Sequence, residues 1–197
     1  MLEPRDLVLA STSRYRKELL ERLCLPFECA DPAVEERALS GEAPAATAVR
    51  LAEAKARAVV SRFARALIIG SDQVASCDGV VLDKPGTHAN AVLQLSAMSG
   101  RTARFDTAVA LCDARSGAMR SIAVPCLVHF RELSSAQIED YLRREQPYDC
   151  AGSAKSEGLG IALIARIECD DPTALIGLPL IALSTLLQQA GMPVLRG

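Results

Sequence analysis

Four short stretches gather side chains whose types and spacing could do chemistry. Ser11-Thr12-Ser13-Arg14-Tyr15-Arg16 joins hydroxyls to cationic side chains between an apolar run and a leucine-striped segment. At the start of a helix, such residues and the free N–H groups beside them suit a bound anion. The same residues also suit an ordinary serine-capped helix with surface arginines. Gly70-Ser71-Asp72-Gln73 follows a second apolar run. A carboxylate at the C-terminal end of a strand lies where ligands collect in α/β folds. There Asp72 could hold a metal or orient a water, or it could simply begin a turn.

The third stretch is Asp83-Lys84-Pro85-Gly86, where Lys84 is either a point charge for a phosphate or a solvated turn lysine. The fourth, Gly152 to Gly158, holds Ser153, Lys155, Ser156 and Glu157. Its glycines allow close approach to a ligand, and Lys155 suits phosphate. Glu157 suits the N–H donor edge of a base such as guanine; a flexible hairpin loop is the other reading. No G-x-x-x-x-G-K-[ST], G-x-G-x-x-G or G-x-S-x-G pattern occurs, which excludes the P-loop, the dinucleotide fingerprint and the nucleophile elbow. His88 and His129, far apart, read as structural or surface residues, so catalysis must lean on carboxylates, lysines and a metal.

Several elements must position these residues. Leu7–Ala10 reads as a buried strand, followed from Arg14 by a helix with Leu19, Leu20 and Leu23 on one face, capped by Ser13 or Ser11 and stopped by Pro26. Phe27–Ala30 is a strand, residues 31–44 a loop, and Ala45–Ala64 a helix rich in Ala, Arg, Glu and Lys. Leu67–Gly70 is a strand with Ser71-Asp72-Gln73 at its end, and Asp78-Gly79 turns a hairpin between Val74–Cys77 and Val80–Leu82. A helix from Thr87 to Met98 ends at Gly100, and two long strands, Arg101–Asp113 and Ala118–Phe130, follow. Ser134 and Gln137 form a capping box for a helix to Glu145. Ile161–Glu168 is a strand, and Asp171-Pro172 opens a last helix running to Gly191. The expectation is an α/β fold: one domain over 1–197 with a mixed central sheet flanked by helices.

Composition narrows the partners. Half of the 197 residues are hydrophobic, aromatics are 4% and tryptophan is absent, so the core is built from Leu, Val, Ile and Ala. A net charge of -2 without a basic stripe argues against nucleic acid and leaves room for a small anionic substrate. The seven cysteines lack a C-x-x-C pair and read as small buried hydrophobes in a reducing compartment. No segment at the N-terminus resembles a signal peptide, and Leu175–Leu187 is too short and too broken to span a bilayer, which points to a cytoplasmic protein.

These stretches together resemble the Maf family of nucleoside triphosphate pyrophosphatases over nearly the whole chain. The matching segments run in order through Leu9-Ala10-Ser11-x-Ser13-x-x-Arg16-x-x-Leu19-Leu20, Val34-Glu35-Glu36, Ala54-Lys55-Ala56, Ile69-Gly70-Ser71-Asp72-Gln73, Lys84-Pro85, Ala151-Gly152 and Gly177-Leu178-Pro179. Ser71-Asp72-Gln73-Val74, Phe27-Glu28-Cys29-Ala30 and the segment from Ala151 to Gly158 look most like the 7-methyl-GTP branch. Arg14 and Tyr15 stand where the family usually has Pro-Arg. The resemblance implies the Maf/ITPase-like fold with a cleft between two lobes, a homodimer, and hydrolysis of 7-methyl-GTP to 7-methyl-GMP and pyrophosphate. It implies Asp72 as proton acceptor, and Ser11, Ser13, Arg16, Lys55, Lys84 and Lys155 on the phosphates. Glu35, Glu36 and Asp72 would hold magnesium or manganese, and Tyr15, Gln73 and Glu157 would choose the base. A tyrosine face and a carboxylate both complement a cationic methylated guanine. The alternatives are a dTTP/UTP pyrophosphatase and a non-catalytic, nucleotide-binding cell-division regulator.

Overall fold

Short apolar runs become the strands of a mixed sheet. The computed structural model describes residues 5–195, so the reading of the first residues, Met1 to Pro4, lies outside it. Its strands are β1 (Leu7–Ala10), β2 (Glu28–Ala30), β3 (Leu67–Cys77), β4 (Val80–Leu82), β5 (Thr102–Asp113), β6 (Met119–Phe130) and β7 (Ile164–Cys169). Its helices are α1 (Arg14–Glu21), α2 (Pro44–Ala58), α3 (His88–Met98), α4 (Ser135–Glu145) and α5 (Leu180–Gln189). Among the described residues the seven strands pair in the order β2-β1-β3-β5-β6-β7, with β4 also on β3. The mixed α/β class read from the sequence is therefore the one observed.

The chain forms two compact units, both discontinuous: Met1–Gln73, Thr107–Val124 and Asp171–Gly197 in the first, Val74–Asp106 and Pro125–Asp170 in the second. In the first unit β1 pairs in parallel with both β2 and β3, and the β1–β3 register ends at Leu9 opposite Ile69. Strands buried on both faces read as continuous apolar runs, as Leu7–Ala10 and Leu67–Ile69 do. One side of this sheet packs Val8, Ala10 and Ile68 against Ala56 and Val59 of the α2 region, with Ala66 and Cys112. Small residues on α2 let helix and sheet approach closely. A Cβ added at Gly70 would lie 2.0 Å from the Ala52 carbonyl oxygen, so only glycine fits there.

In the second unit, the Asp78-Gly79 turn takes positive φ at both residues, 50° and 80°, as the hairpin signal requires. The Ser134–Gln137 capping box forms, and Thr87 caps α3. Cys126 and Cys169 face each other across β6 and β7 with Cα atoms 4.5 Å apart and form a disulfide. This corrects the reading of all the cysteines as buried thiols. Cys77 and Cys112 are buried thiols, Cys24 and Cys29 are exposed, and Cys150 is half-buried.

Several element boundaries also differ from expectation, among them the start of β7, which is Ile164 after a 3-10 turn over Leu159–Leu163 rather than Ile161. The α2 helix stops at Ala58 and gives way to a 3-10 turn, Val60–Arg62, because the β-branched pair Val59-Val60 is poorly suited to helix. β3 does not end at Gly70; it runs on through Ser71-Asp72-Gln73 to Cys77. The last helix does not open at Asp171. Gly177, at φ 124°, and Pro179 interrupt the chain, and α5 starts at Leu180.

Candidate functional site

The first unit collects most of the charged side chains singled out in the sequence. Asp72 lies within β3 but three residues past the last β1 partner, so it stands beyond the C-terminal edge of the parallel pairing. The close approach at Gly70 brings α2 against β3, and α2 presents Lys55 to the strand. Lys55 Nζ donates to Asp72 Oδ1 at 2.6 Å and also lies 2.6 Å from Glu36 Oε1. Lys55 and Asp72 are almost wholly buried, whereas Glu36 is half exposed.

Burial raises the pKa of Asp72 above the ordinary aspartate value, opposed by the charge and hydrogen bond of Lys55 and by the charge of Arg16. Burial lowers that of Arg16, opposed by the fields of Asp72 and Glu36; a guanidinium still stays charged in water. Asp72 Oδ2 has no hydrogen-bond partner among the described residues, so this oxygen is the one able to accept a proton.

Arg16 points back into the same unit, donating Nε to the Gly177 carbonyl at 2.9 Å. The Ser71 hydroxyl lies 2.8 Å from the Ala108 carbonyl and 2.9 Å from that of Gly177. Ser13 caps α1, its Oγ accepting from Arg16 N, and Ser11 Oγ accepts from Ser13 N. The capped-helix reading is therefore the local structure, and the same N-terminus is available to an anion. The Arg14 guanidinium lies 4.7 Å from the Tyr15 ring centre, so the ring already holds a cation over its face.

Glu36 sits on a loop, and α2 holds that loop. Arg50 donates to Glu42 at 2.7 and 2.6 Å and to the Arg37 carbonyl at 2.8 Å. Hydrogen bonds from Arg50 and Thr47 pull Glu42 down to about 2. Glu35 turns away onto Arg37 at 2.9 Å and is 73% exposed. Among the described residues, no three His, Cys, Asp or Glu side chains are grouped to hold a metal. Of the expected trio Glu35, Glu36 and Asp72, the structure brings Asp72 and Glu36 to one cation, the Lys55 ammonium, and leaves Glu35 on Arg37. Two hard carboxylates fit a magnesium-like ion that takes its other oxygens from a substrate's phosphates.

Gln73 ends the first stretch of the first unit, whereas Lys84, Lys155 and Glu157 lie in the second. Lys84 is exposed on a loop that α3 holds through Asn90 to the Pro85 carbonyl and Gln94 to that of Asp83. Lys155 Nζ pairs with Glu145 Oε1 at 2.8 Å, and Glu145 Oε2 accepts from Leu159 N at 2.7 Å. The hydrogen bond from Lys155 holds Glu145 below the usual glutamate value. Glu157 is exposed and accepts from Ser156 at 3.5 Å. Composition and spacing gave no sign of Arg50 or Thr107, and marked Asp171 only as a helix start; what marks them is their side-chain hydrogen bonds to distant parts of the chain.

No helix among the described residues is long and apolar enough to cross a membrane. The profile of the family described as Maf-like protein matches residues 6–190. A 7-methyl-GTP pyrophosphatase of Paraburkholderia xenovorans is 57% identical, covering 98% of this chain and 95% of its own. One from Polaromonas is 58% identical, covering 95% and 86%, and one from Albidiferax ferrireducens is 55% identical, covering 99% of both.

Proposed function

Because the chain belongs to the Maf-like family, we propose that it hydrolyses the α–β phosphoanhydride of 7-methyl-GTP, releasing 7-methyl-GMP and pyrophosphate. The observation that carries the reading is the buried Asp72–Lys55 pair with Glu36 beside it, coupled with relatives named for that activity. A buried aspartate with a raised pKa is a stronger base than an exposed one. Asp72 Oδ2 takes the proton of the attacking water, while Lys55 holds Oδ1 and fixes the carboxylate plane. Arg16 and Lys55 stabilise charge on the phosphates, with Ser11 and Ser13 at the start of α1. Lys84 and Lys155 are assigned phosphate contacts, and Tyr15, Gln73 and Glu157 the choice of base, on the resemblance alone. A divalent cation, magnesium or manganese, would be held by Asp72 and Glu36 with phosphate oxygens, and would supply acidification of the attacking water. The resemblance also supports a homodimer in the cytoplasm, with the whole chain acting as one catalytic domain.

The test is pyrophosphate release with magnesium from 7-methyl-GTP, GTP, dTTP and UTP side by side. A clear preference for 7-methyl-GTP is the expected outcome; a preference for dTTP or UTP overturns the substrate assignment while keeping Asp72. Glu157→Gln should lower the 7-methyl-GTP to UTP ratio roughly tenfold, since a carboxylate gains more from a cationic base than an amide does. An unchanged ratio removes Glu157 from recognition.

A further inference from the structure

We propose that Thr107, with the carbonyls of Ala174 and Leu175, locks the Gln73 side chain as a hydrogen-bond acceptor, and so sets which base edge the enzyme takes. This rests on the substrate reading above and deepens it. Gln73 Nε2 lies 2.9 Å from Thr107 Oγ1, 3.0 Å from the Ala174 carbonyl and 3.1 Å from the Leu175 carbonyl. Thr107 is fully buried and its hydroxyl donates to the Ala174 carbonyl at 2.9 Å. Its one proton is therefore spent, and its oxygen can only accept from Gln73. Turning the amide over would set Oε1 against two carbonyl oxygens and would take the threonine proton from Ala174. The network thus fixes an orientation that is ambiguous for an isolated amide.

Oε1 accepts nothing among the described residues, and Gln73 is only half-buried, so the group it presents is a carbonyl oxygen alone. Such an oxygen complements adjacent N–H donors, as on the N1 and N2 edge of a guanine. It repels the ring carbonyls that flank the single N–H of uracil and thymine. The carbonyls have their own anchor. Asp171 Oδ1 accepts from Thr173, its Oδ2 accepts from Ile181 N and Ala182 N at the start of α5, and Thr173 Oγ1 accepts from Leu180 N. The turn between Thr173 and Leu180 is thereby tied at both ends. Thr107 is a positioning residue that acts through Gln73.

The experiment compares kcat/KM for 7-methyl-GTP and UTP in the wild type, Thr107→Val, Thr107→Ser, Gln73→Leu and the Thr107→Val/Gln73→Leu double variant. Valine keeps the shape and removes one of the three acceptors that hold the amide, which lets the amide swing away from the orientation that the two carbonyls still favour. The 7-methyl-GTP to UTP ratio should fall five- to twentyfold in Thr107→Val, through KM more than kcat because the base is remote from the reacting phosphorus. Serine should restore it to within about twofold. In the Gln73→Leu background, Thr107→Val should leave the ratio unchanged, a non-additivity that generalised loosening of β5 would not produce. A ratio that Thr107→Val does not move, or moves equally with and without Gln73, overturns the lock. The wild type's own ranking reports separately on the substrate reading. No preference for 7-methyl-GTP, with a ratio that Thr107→Val still moves, sinks the substrate and keeps the lock.

Discussion

Two lysine–carboxylate pairs, one in each unit, show how far burial decides what an ion pair does. Lys55–Asp72 in the first unit and Lys155–Glu145 in the second have nearly the same length, 2.6 and 2.8 Å. Their carboxylates respond in opposite directions: burial raises Asp72 despite its lysine, and the hydrogen bond from Lys155 lowers Glu145. Desolvation penalises the charged form of both, but it dominates only where water is nearly excluded. The first pair keeps a carboxylate basic. The second ties a loop to the end of α4, because Glu145 also accepts from Leu159 N.

The largest effect that would break this comparison is at Asp72. Asp72→Asn keeps the shape and removes the proposed base, so kcat should fall by about 10^3-fold or more with nucleotide binding retained, while the melt loses stability because Lys55 keeps only Glu36 as a counter-charge. Substantial residual turnover would end its central role. Next, Lys55→Met strips a buried partner, a change of about 3–5 kcal/mol in stability when one member of a buried pair is lost. It should also move the acid limb of kcat/KM to higher pH, since Lys55 opposes the rise of Asp72. A limb that stays in place would mean that another group titrates there.

Gly70→Ala forces a methyl onto the Ala52 carbonyl, and overpacking of this kind costs about 1–3 kcal/mol. Turnover should fall with it, because α2 and β3 must separate and take Lys55 from Asp72. Thermal melts and rates on the same preparation check both. The smallest effect is expected for Glu145→Gln, about 1 kcal/mol, with the acid limb of activity unmoved. The pH dependence of stability sharpens the contrast. Asp72, with its folded pKa raised, contributes stability that is full below its unfolded pKa and is lost as pH rises through the folded one. Glu145, lowered, contributes stability that is present above its unfolded pKa and is lost as pH falls through the folded one. Asp72→Asn and Glu145→Gln should therefore tilt the stability curve in opposite senses between pH 3 and 6, the range in which carboxylates titrate; tilts of the same sign would refute the distinction.

The sequence showed which strands are buried, where the hairpin turns and which serine caps α4, because each depends on residues a few positions apart. It also placed Asp72 and Lys55 among the reactive residues. It did not show that they touch, for that depends on the close approach of α2 to β3 at Gly70. Glu35 and Glu36 are adjacent and alike in type, and only the hold of Arg50 on the loop carries one to Lys55 while the other pairs with Arg37. The Cys126–Cys169 pairing was likewise invisible, since 43 residues separate the partners and only the register of β6 with β7 brings them face to face.

The discontinuous first unit sets an order of completion during synthesis. β1, α2 and β3 leave the ribosome early, and Lys55 can meet Asp72 while the rest of the chain is still being made. The Gly177 carbonyl that takes Arg16 Nε, and the Ala174 and Leu175 carbonyls that take Gln73, arrive only after residue 171. A nascent chain thus carries the Asp72–Lys55 pair long before the contacts that hold the Arg16 guanidinium and the Gln73 amide, so these two side chains are the last of the unit's polar groups to be fixed in place.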